Sequence, residues 1–285
     1  MSWRSPIAAA LLWASSALAQ TPTADSIMAK VAENQDRAQA ARAEFVYKQK
    51  MLIRLKRGNG KLAREEQREY TVTPTEKGIR KELTHFVGKY ESKGQVTEYD
   101  KPGFLYKGTD IDGEIISDMA DDLANDKKAR DGIATGFPLT AKEQQRYAFH
   151  LEGTEIYRGA EVHKISFKPR KTSLVDCDDD GNSCWSGEVL VDANEFQPVV
   201  ITTFLAKNLP VLVQTLLGTN IRHLGFKLTY QRFDDGLWFP VTYGGEFEVK
   251  AVFFYKRRFA VALTNSGFQR AEVSTRVRFG EPVNP

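Results

Sequence analysis

The sequence predicts a mainly antiparallel β protein of the α+β class, with about ten or eleven strands and few helices. Three observations predict it. Apolar and polar residues alternate with period two in segment after segment from residue 45 onward. Short turn signals rich in Gly, Asn and Asp separate many of these segments. Helical spacing of apolar residues is confined to a few stretches.

The first segment is an address rather than part of that fold. Arg4 precedes the apolar run 7–13, and the small residues Ala17 and Ala19 occupy the minus-three and minus-one positions of a cleavage site. Residues 1–19 are therefore expected to be an export signal, cut near Ala19. Gln20 follows the cut, not a cysteine that could be lipidated, so residues 20–285 are expected as one soluble, periplasmic domain. Past residue 20 no apolar stretch approaches the roughly 18 residues needed to span a bilayer.

Asp25 is the expected cap of a helix running to about residue 43, with Ile27, Val31, Ala38 and Ala41 near one face. Phe45, Tyr47, Met51, Ile53 and Leu55 then alternate with Lys48, Lys50, Arg54 and Lys56, a long strand with one apolar and one basic face. After the turn Gly58-Asn59-Gly60, segments 64–73 and 78–86 read as return strands carrying Tyr70, Val72, Ile79 and Leu83. A second helix is expected from about Ser117, with Ile116, Met119, Ala120 and Leu123 on one side. Its charges run from Asp121 and Asp122 to Lys127, Lys128 and Arg130, the order that complements a helix dipole, and Gly132 ends it. Further strands are predicted at 147–151, 161–168, 187–191, 197–204, 224–233, 237–241, 246–257 and 272–279. Asp234-Asp235-Gly236 and Tyr243-Gly244-Gly245 are read as turns between them. One segment differs: between Asn208 as cap and Gly218 as stop, Leu209, Val211, Leu212, Val213, Leu216 and Leu217 make a short helix apolar nearly all round. Such a helix is buried, plugs something or touches lipid.

Charge and motifs narrow the chemistry. With 40 basic and 37 acidic side chains and a formal net charge of +3, the signs are interspersed, which excludes the concentrated basic stripe that nucleic acid requires. His85, His150, His163 and His223 share no zinc-ligand spacing, so no metal site is expected there. Nucleophile elbows and phosphate-binding glycine loops are missing from the sequence, and neither an enzymatic activity nor a cofactor is expected. Cys177 and Cys184, the chain's two cysteines, flank a Gly-Asn turn and should pair once exported, a closure worth about 2.5 kcal/mol by chain entropy. Asp176, Asp178, Asp180 and Gly181 copy the opening of a calcium loop, but Gly187 stands where the closing Glu belongs. A solvated acidic tip is the expected reading. The apolar strand faces, such as Phe226, Leu228 and Tyr230, or Phe247, Val249, Ala251, Phe253, Tyr255 and Phe259, fit either a closed sandwich or barrel core, or a curved sheet with room for an apolar ligand.

Order and phrasing then add a resemblance. The export signal, the opening helix Ala24-Asp25-Ser26-Ile27-Met28-Ala29-Lys30-Val31-Ala32-Glu33-Asn34-Gln35 and the strand 45–55 come first. Val162-His163-Lys164-Ile165-Ser166-Phe167-Lys168-Pro169, Gly187-Glu188-Val189-Leu190-Val191-Asp192 and Asp235-Gly236-Leu237-Trp238-Phe239-Pro240 follow. Together they resemble the periplasmic outer-membrane lipoprotein-sorting carriers of the Lol type, over nearly all of the mature chain. The resemblance implies an unclosed, strongly curved antiparallel β-barrel with helices covering a concave apolar face that holds acyl chains. Shielding them matters, because each buried methylene is worth about 0.8 kcal/mol. The implied function is a non-enzymatic carrier or chaperone for the acyl chains of a lipoprotein or a lipid, in envelope lipoprotein sorting. The ligand-face candidates are Phe45, Tyr47, Met51, Ile53, Tyr70, Val72, Phe226, Leu228, Phe247, Val249, Phe253 and Tyr255. Leu209, Leu212, Val213 and Leu216 are candidates for a lid or a peripheral membrane-docking element. Two alternatives stay open: a lipid-sensing regulator that binds a membrane-anchored protein partner, and a structural envelope protein with a dry core.

Overall fold

A computed structural model of the protein describes residues 22–75, 78–124, 137–170, 185–205, 219–222, 225–233, 236–251 and 255–271. The export signal, Cys177 and Cys184, the acidic 176–181 stretch, the 209–217 segment with Leu209, Leu212, Val213 and Leu216, Phe253, His223 and the expected strand 272–279 lie outside these residues.

Helix α1, Ala24–Arg42, opens on Thr23 rather than Asp25: the Ser26 amide donates to the Thr23 hydroxyl at 3.2 Å. Asp25 sits inside the first turn, where its charge favours the helix dipole. The chain then forms β1 (Phe45–Arg57), β2 (Leu62–Thr75), β3 (Gly78–Ser92) and β4 (Gln95–Tyr99) as a meander. Helix α2, Ile111–Ala124, begins six residues before the expected Ser117. Its cap is Asp110, whose carboxylate accepts from the Gly113 amide at 3.1 Å. A glycine in a first turn weakens the helical signal, yet here it is required: a Cβ at 113 would lie 2.7 Å from Arg64 Nη1 and from Asp110 Oδ2.

After the short helix α3 (Ala141–Gln144) come β5 (Tyr147–Tyr157), β6 (Ala160–Pro169), β7 (Trp185–Asp192), β8 (Pro198–Leu205), β9 (Thr219–Arg222), β10 (Gly225–Arg232), β11 (Trp238–Ala251) and β12 (Tyr255–Arg270). All twelve strands join one antiparallel sheet in the order β4-β3-β2-β1-β12-β11-β10-β8-β7-β6-β5, with β9 paired to β11. Among the described residues no ladder joins β4 to β5, so the sheet is not closed into a barrel.

Two expectations fail at β11. Tyr243-Gly244-Gly245 is not a turn: β11 runs straight through it, pairing Tyr243 with Leu263, Gly244 with Ala262 and Gly245 with Val261. The glycines are there for close approach, since a Cβ at 245 would lie 2.1 Å from the Gly225 carbonyl oxygen and one at 244 would lie 2.5 Å from that of Val261. Nor is 246–257 one strand, because Ala251 of β11 pairs with Tyr255 of β12 and the chain has reversed between them. The long strand β12, which closes β1 onto β11, had no counterpart in the sequence reading beyond residue 257.

The helices share the sheet's inner face and divide its core. Under α1 lie Tyr147, Ile165, Phe167, Val189, Val191, Ile201, Leu228, Tyr230 and Trp238, packed on Ile27, Met28 and Val31. Under α2 lie Met51, Ile53, Leu55, Tyr70, Val72, Phe259, Val261 and Leu263, packed on Ile116 and Ala120. Tyr243 borders both groups. No helix of the described residues is long and apolar enough to cross a membrane.

Candidate functional site: the inner face beneath helix α2

Period-two alternation places Met51, Ile53 and Leu55 of β1, Tyr70 and Val72 of β2 and Phe259, Val261 and Leu263 of β12 on one surface, so adjacent strands build an apolar trough. Its margin toward α1 is aromatic and only half-buried. The Phe247 ring stacks on Phe259 at 4.9 Å, Phe226 stacks on Tyr243 at 5.3 Å, and Trp185 meets Phe226 edge-on at 5.5 Å. Burial raises the pKa of the Tyr243 phenol well above its ordinary value, so the hydroxyl stays neutral and the margin uncharged.

The predicted ligand-face residues separate into groups. Met51, Ile53, Tyr70 and Val72 lie in the trough, with Tyr47, Phe247 and Val249 packed at its border. Leu228 belongs to the α1 core, and Phe226 packs against that core. Phe45 sits apart, edge-on to Phe239 at 4.9 Å, while Tyr47 stacks on Phe268 at 5.2 Å. Tyr255 is drawn to the start of α2, where its hydroxyl donates to Asp112 Oδ1 at 3.0 Å.

What covers the trough is α2, and charged side chains hold it. At its start, Arg64 pairs with Asp110 and also donates to the Phe104 carbonyl; the two charges are 1% and 3% exposed. Arg257 grips Asp112 with two hydrogen bonds, each 2.8 Å. Deeper in the sheet the Tyr99 hydroxyl accepts from Arg64 Nε at 3.0 Å and donates to Glu66 at 2.8 Å, and Glu66 pairs with Arg68 at 2.7 Å. Burial disfavours the Arg68 charge, but Asp121 and Glu66 outweigh that and raise its pKa. At the far end the fastening is looser: Arg68 reaches Asp121 at 2.6 Å, but Asp121 is 66% exposed, and Lys81 donates to the Leu123 carbonyl at 3.2 Å.

Sequence reasoning overlooked these charges. The signal was present, because Arg64, Glu66 and Arg68 continue the period-two register of Tyr70 and Val72, and three charges on the inward face of a strand demand buried partners. A separate groove of about 470 Å³ runs between α1 and α3, floored by Ala29, Ala32 and Phe149. Its rim carries Asp25, Glu33, Asp36 and Arg170.

The chain matches no family model and no curated protein. Among solved structures it is similar to a DUF1329 family protein from Desulfovibrio piger, at 13% identity over 89% of this chain and 95% of that one, with a TM-score of 0.39. It is also similar to a putative outer membrane lipoprotein-sorting protein domain from Vibrio parahaemolyticus, at 12% identity, 88% and 95% coverage and a TM-score of 0.34. A LolA superfamily protein from Nitrosomonas europaea is similar at 11% identity, with 90% and 97% coverage and a TM-score of 0.32.

Proposed function

We propose that this protein is a non-enzymatic periplasmic carrier, and that the acyl chains of a lipoprotein or a lipid occupy the trough beneath α2 when the helix swings aside. The observation that carries the reading is the mismatch between trough and cover. Eight large apolar or aromatic strand residues are roofed by a helix that buries only Ile116 and Ala120 fully, with Ile115, Met119, Leu123 and Ala124 packed on the trough while still half-exposed.

Magnitudes favour the exchange. Each of the four large apolar side chains that the helix packs on the trough, Ile115, Ile116, Met119 and Leu123, is worth about 1.5–3 kcal/mol when fully buried and less when half-buried, whereas a chain of about 15 methylenes transferred from water gains roughly 12 kcal/mol. That surplus has to cover the release of the Arg68–Asp121 contact, in which Asp121 is 66% exposed and returns to water while the buried Arg68 keeps Glu66 as its partner. The start of α2 has the buried Arg64–Asp110 pair and the two-point Arg257–Asp112 pair. The helix therefore pivots about residues 110–112 and lifts at its Leu123 end.

The test is uptake of a fluorescent fatty acid by delipidated protein. Uptake should be saturable, and Phe247→Asp or Val249→Asp should abolish it while the far-ultraviolet spectrum of the fold is retained, because a charge at the margin meets hydrocarbon. Folded wild-type protein that takes up no probe, or Phe247→Asp protein that takes it up unchanged, would overturn the reading.

A further inference from the structure

Between β4 and α2, three consecutive large apolar side chains face solvent: Phe104, Leu105 and Tyr106 are 36%, 41% and 39% exposed, and Ile111 just beyond is 54% exposed. Isolated exposed apolar residues are ordinary, but a run of this kind on one loop marks an interaction surface. The loop is held from below in that exposed arrangement. Arg64 donates to the Phe104 carbonyl, and the Tyr106 amide donates to Asp110 at 3.3 Å. The Phe104 ring stacks on Tyr99 at 4.9 Å and Tyr106 on Tyr90 at 5.1 Å. Little conformational freedom remains to be lost when the loop meets a partner.

Within the loop itself the charges have one sign. The charged residues of 101–109 are both lysines, Lys101 and Lys107, and Lys107 Nζ lies 5.0 Å from the Tyr106 ring. Neighbouring carboxylates are engaged: Asp110 by Arg64, Asp112 by Arg257 and Glu98 by Lys89 at 3.2 Å. Asp100 and Glu114 are the exposed acids at the loop's two ends. Aromatic rings with a polar tip and lysines whose stems lie along apolar surface are the side chains that settle at the boundary between water and lipid.

We propose that loop 101–109 docks on an anionic lipid bilayer, with Phe104, Leu105 and Tyr106 entering the interface and Lys101 and Lys107 meeting the headgroups. This surface goes beyond the carrier reading and does not depend on whether the trough takes up hydrocarbon. If both hold, docking sets the pivot of α2 against the membrane, because the loop runs directly into Asp110.

Flotation of the full mature protein with phosphatidylcholine vesicles, with and without phosphatidylglycerol, tests the proposal. Wild-type protein should float with the phosphatidylglycerol vesicles. Phe104→Ser/Leu105→Ser/Tyr106→Ser should weaken binding by about tenfold or more, and Lys101→Gln/Lys107→Gln by roughly thirtyfold. A Leu105→Trp variant, which keeps a bulky apolar side chain at a surface position, gives a direct readout: its emission should shift to the blue when phosphatidylglycerol vesicles are added. Wild-type protein that ignores the anionic vesicles, serine-variant binding equal to wild type, or Leu105→Trp emission that stays put would each overturn the docking surface. A loop that captures a protein while ignoring vesicles would do the same. Loss of fatty-acid uptake with vesicle binding intact would strike the carrier reading and leave this one standing.

Discussion

The two helices on the inner face are attached by different physics. Helix α1 inserts Ile27, Met28 and Val31, all fully buried, into strands β5 to β8 and β10. Its polar contacts are mainly hydrogen bonds with amide side chains, Asn34 to the Glu195 carbonyl at 2.8 Å, Gln35 to Gln197 at 2.7 Å and Gln144 to the Met28 carbonyl at 2.7 Å, with one charged contact at its end, Arg42 to the Trp238 carbonyl at 2.9 Å. Helix α2 buries less and relies on three Arg–Asp pairs, with partners on β2 and β12. Apolar burial has no substitute in water, whereas a charged side chain at a helix's exposed end can exchange its partner for solvent at little net cost. On the proposed carrier reading, the difference makes α1 the fixed wall and α2 the cover that lifts from one end.

The largest effect should come from the pivot. Arg64→Met leaves Asp110 buried without its cation and should lower stability by about 3–5 kcal/mol. Asp121→Asn, at the exposed end, should cost no more than about 1 kcal/mol. Urea midpoints of the two variants decide this, and equal losses would refute the asymmetry between the ends of α2. Next in size, Met28→Ala and Ile116→Ala each delete a fully buried side chain and should each cost about 2–5 kcal/mol. They should part company in the fatty-acid assay: Ile116→Ala weakens the cover and should tighten uptake, while Met28→Ala should leave uptake where it was.

The smallest effect is a pH dependence shared by both halves. Burial pushes the phenols of Tyr47, bordering the trough, and Tyr147, in the α1 core, up to about 12, the nearby Arg42 charge partly opposing the rise at Tyr47. A raised phenol pKa means the folded state keeps a proton that the unfolded chain gives up. The associated stability is complete below the unfolded value of about 10 and is lost as pH climbs through about 12. Absorbance titration of phenolate should show late-ionising groups among the chain's ten tyrosines, and Tyr47→Phe and Tyr147→Phe should each remove one late step. A titration finished near pH 10, before unfolding, would contradict the burial of both.

The trough side of the site was partly readable from residues alone. Alternation put Met51, Ile53, Tyr70 and Val72 on inward positions, and that periodicity belongs to the strand itself. The clasp was not readable, because Arg64 and Asp110 are 46 residues apart and only the packing of α2 on β2 makes them neighbours. The same holds for the loop 101–109, whose outward aromatics are fixed by Arg64 and by rings on β3 and β4.

By itself the sequence determined the predominance of antiparallel strands, the apolar face of β1 and of the Tyr70–Val72 end of β2, and the existence of α1, since these follow from the spacing of side chains along one local backbone geometry. Tertiary structure decided that β11 passes through Gly244 and Gly245, that β12 returns beside β1, and that a row of charges on β2 lies inside. Each of those outcomes depends on which distant strand or helix comes to lie alongside, so that a missing Cβ becomes room for a neighbour's carbonyl and an inward arginine finds its carboxylate.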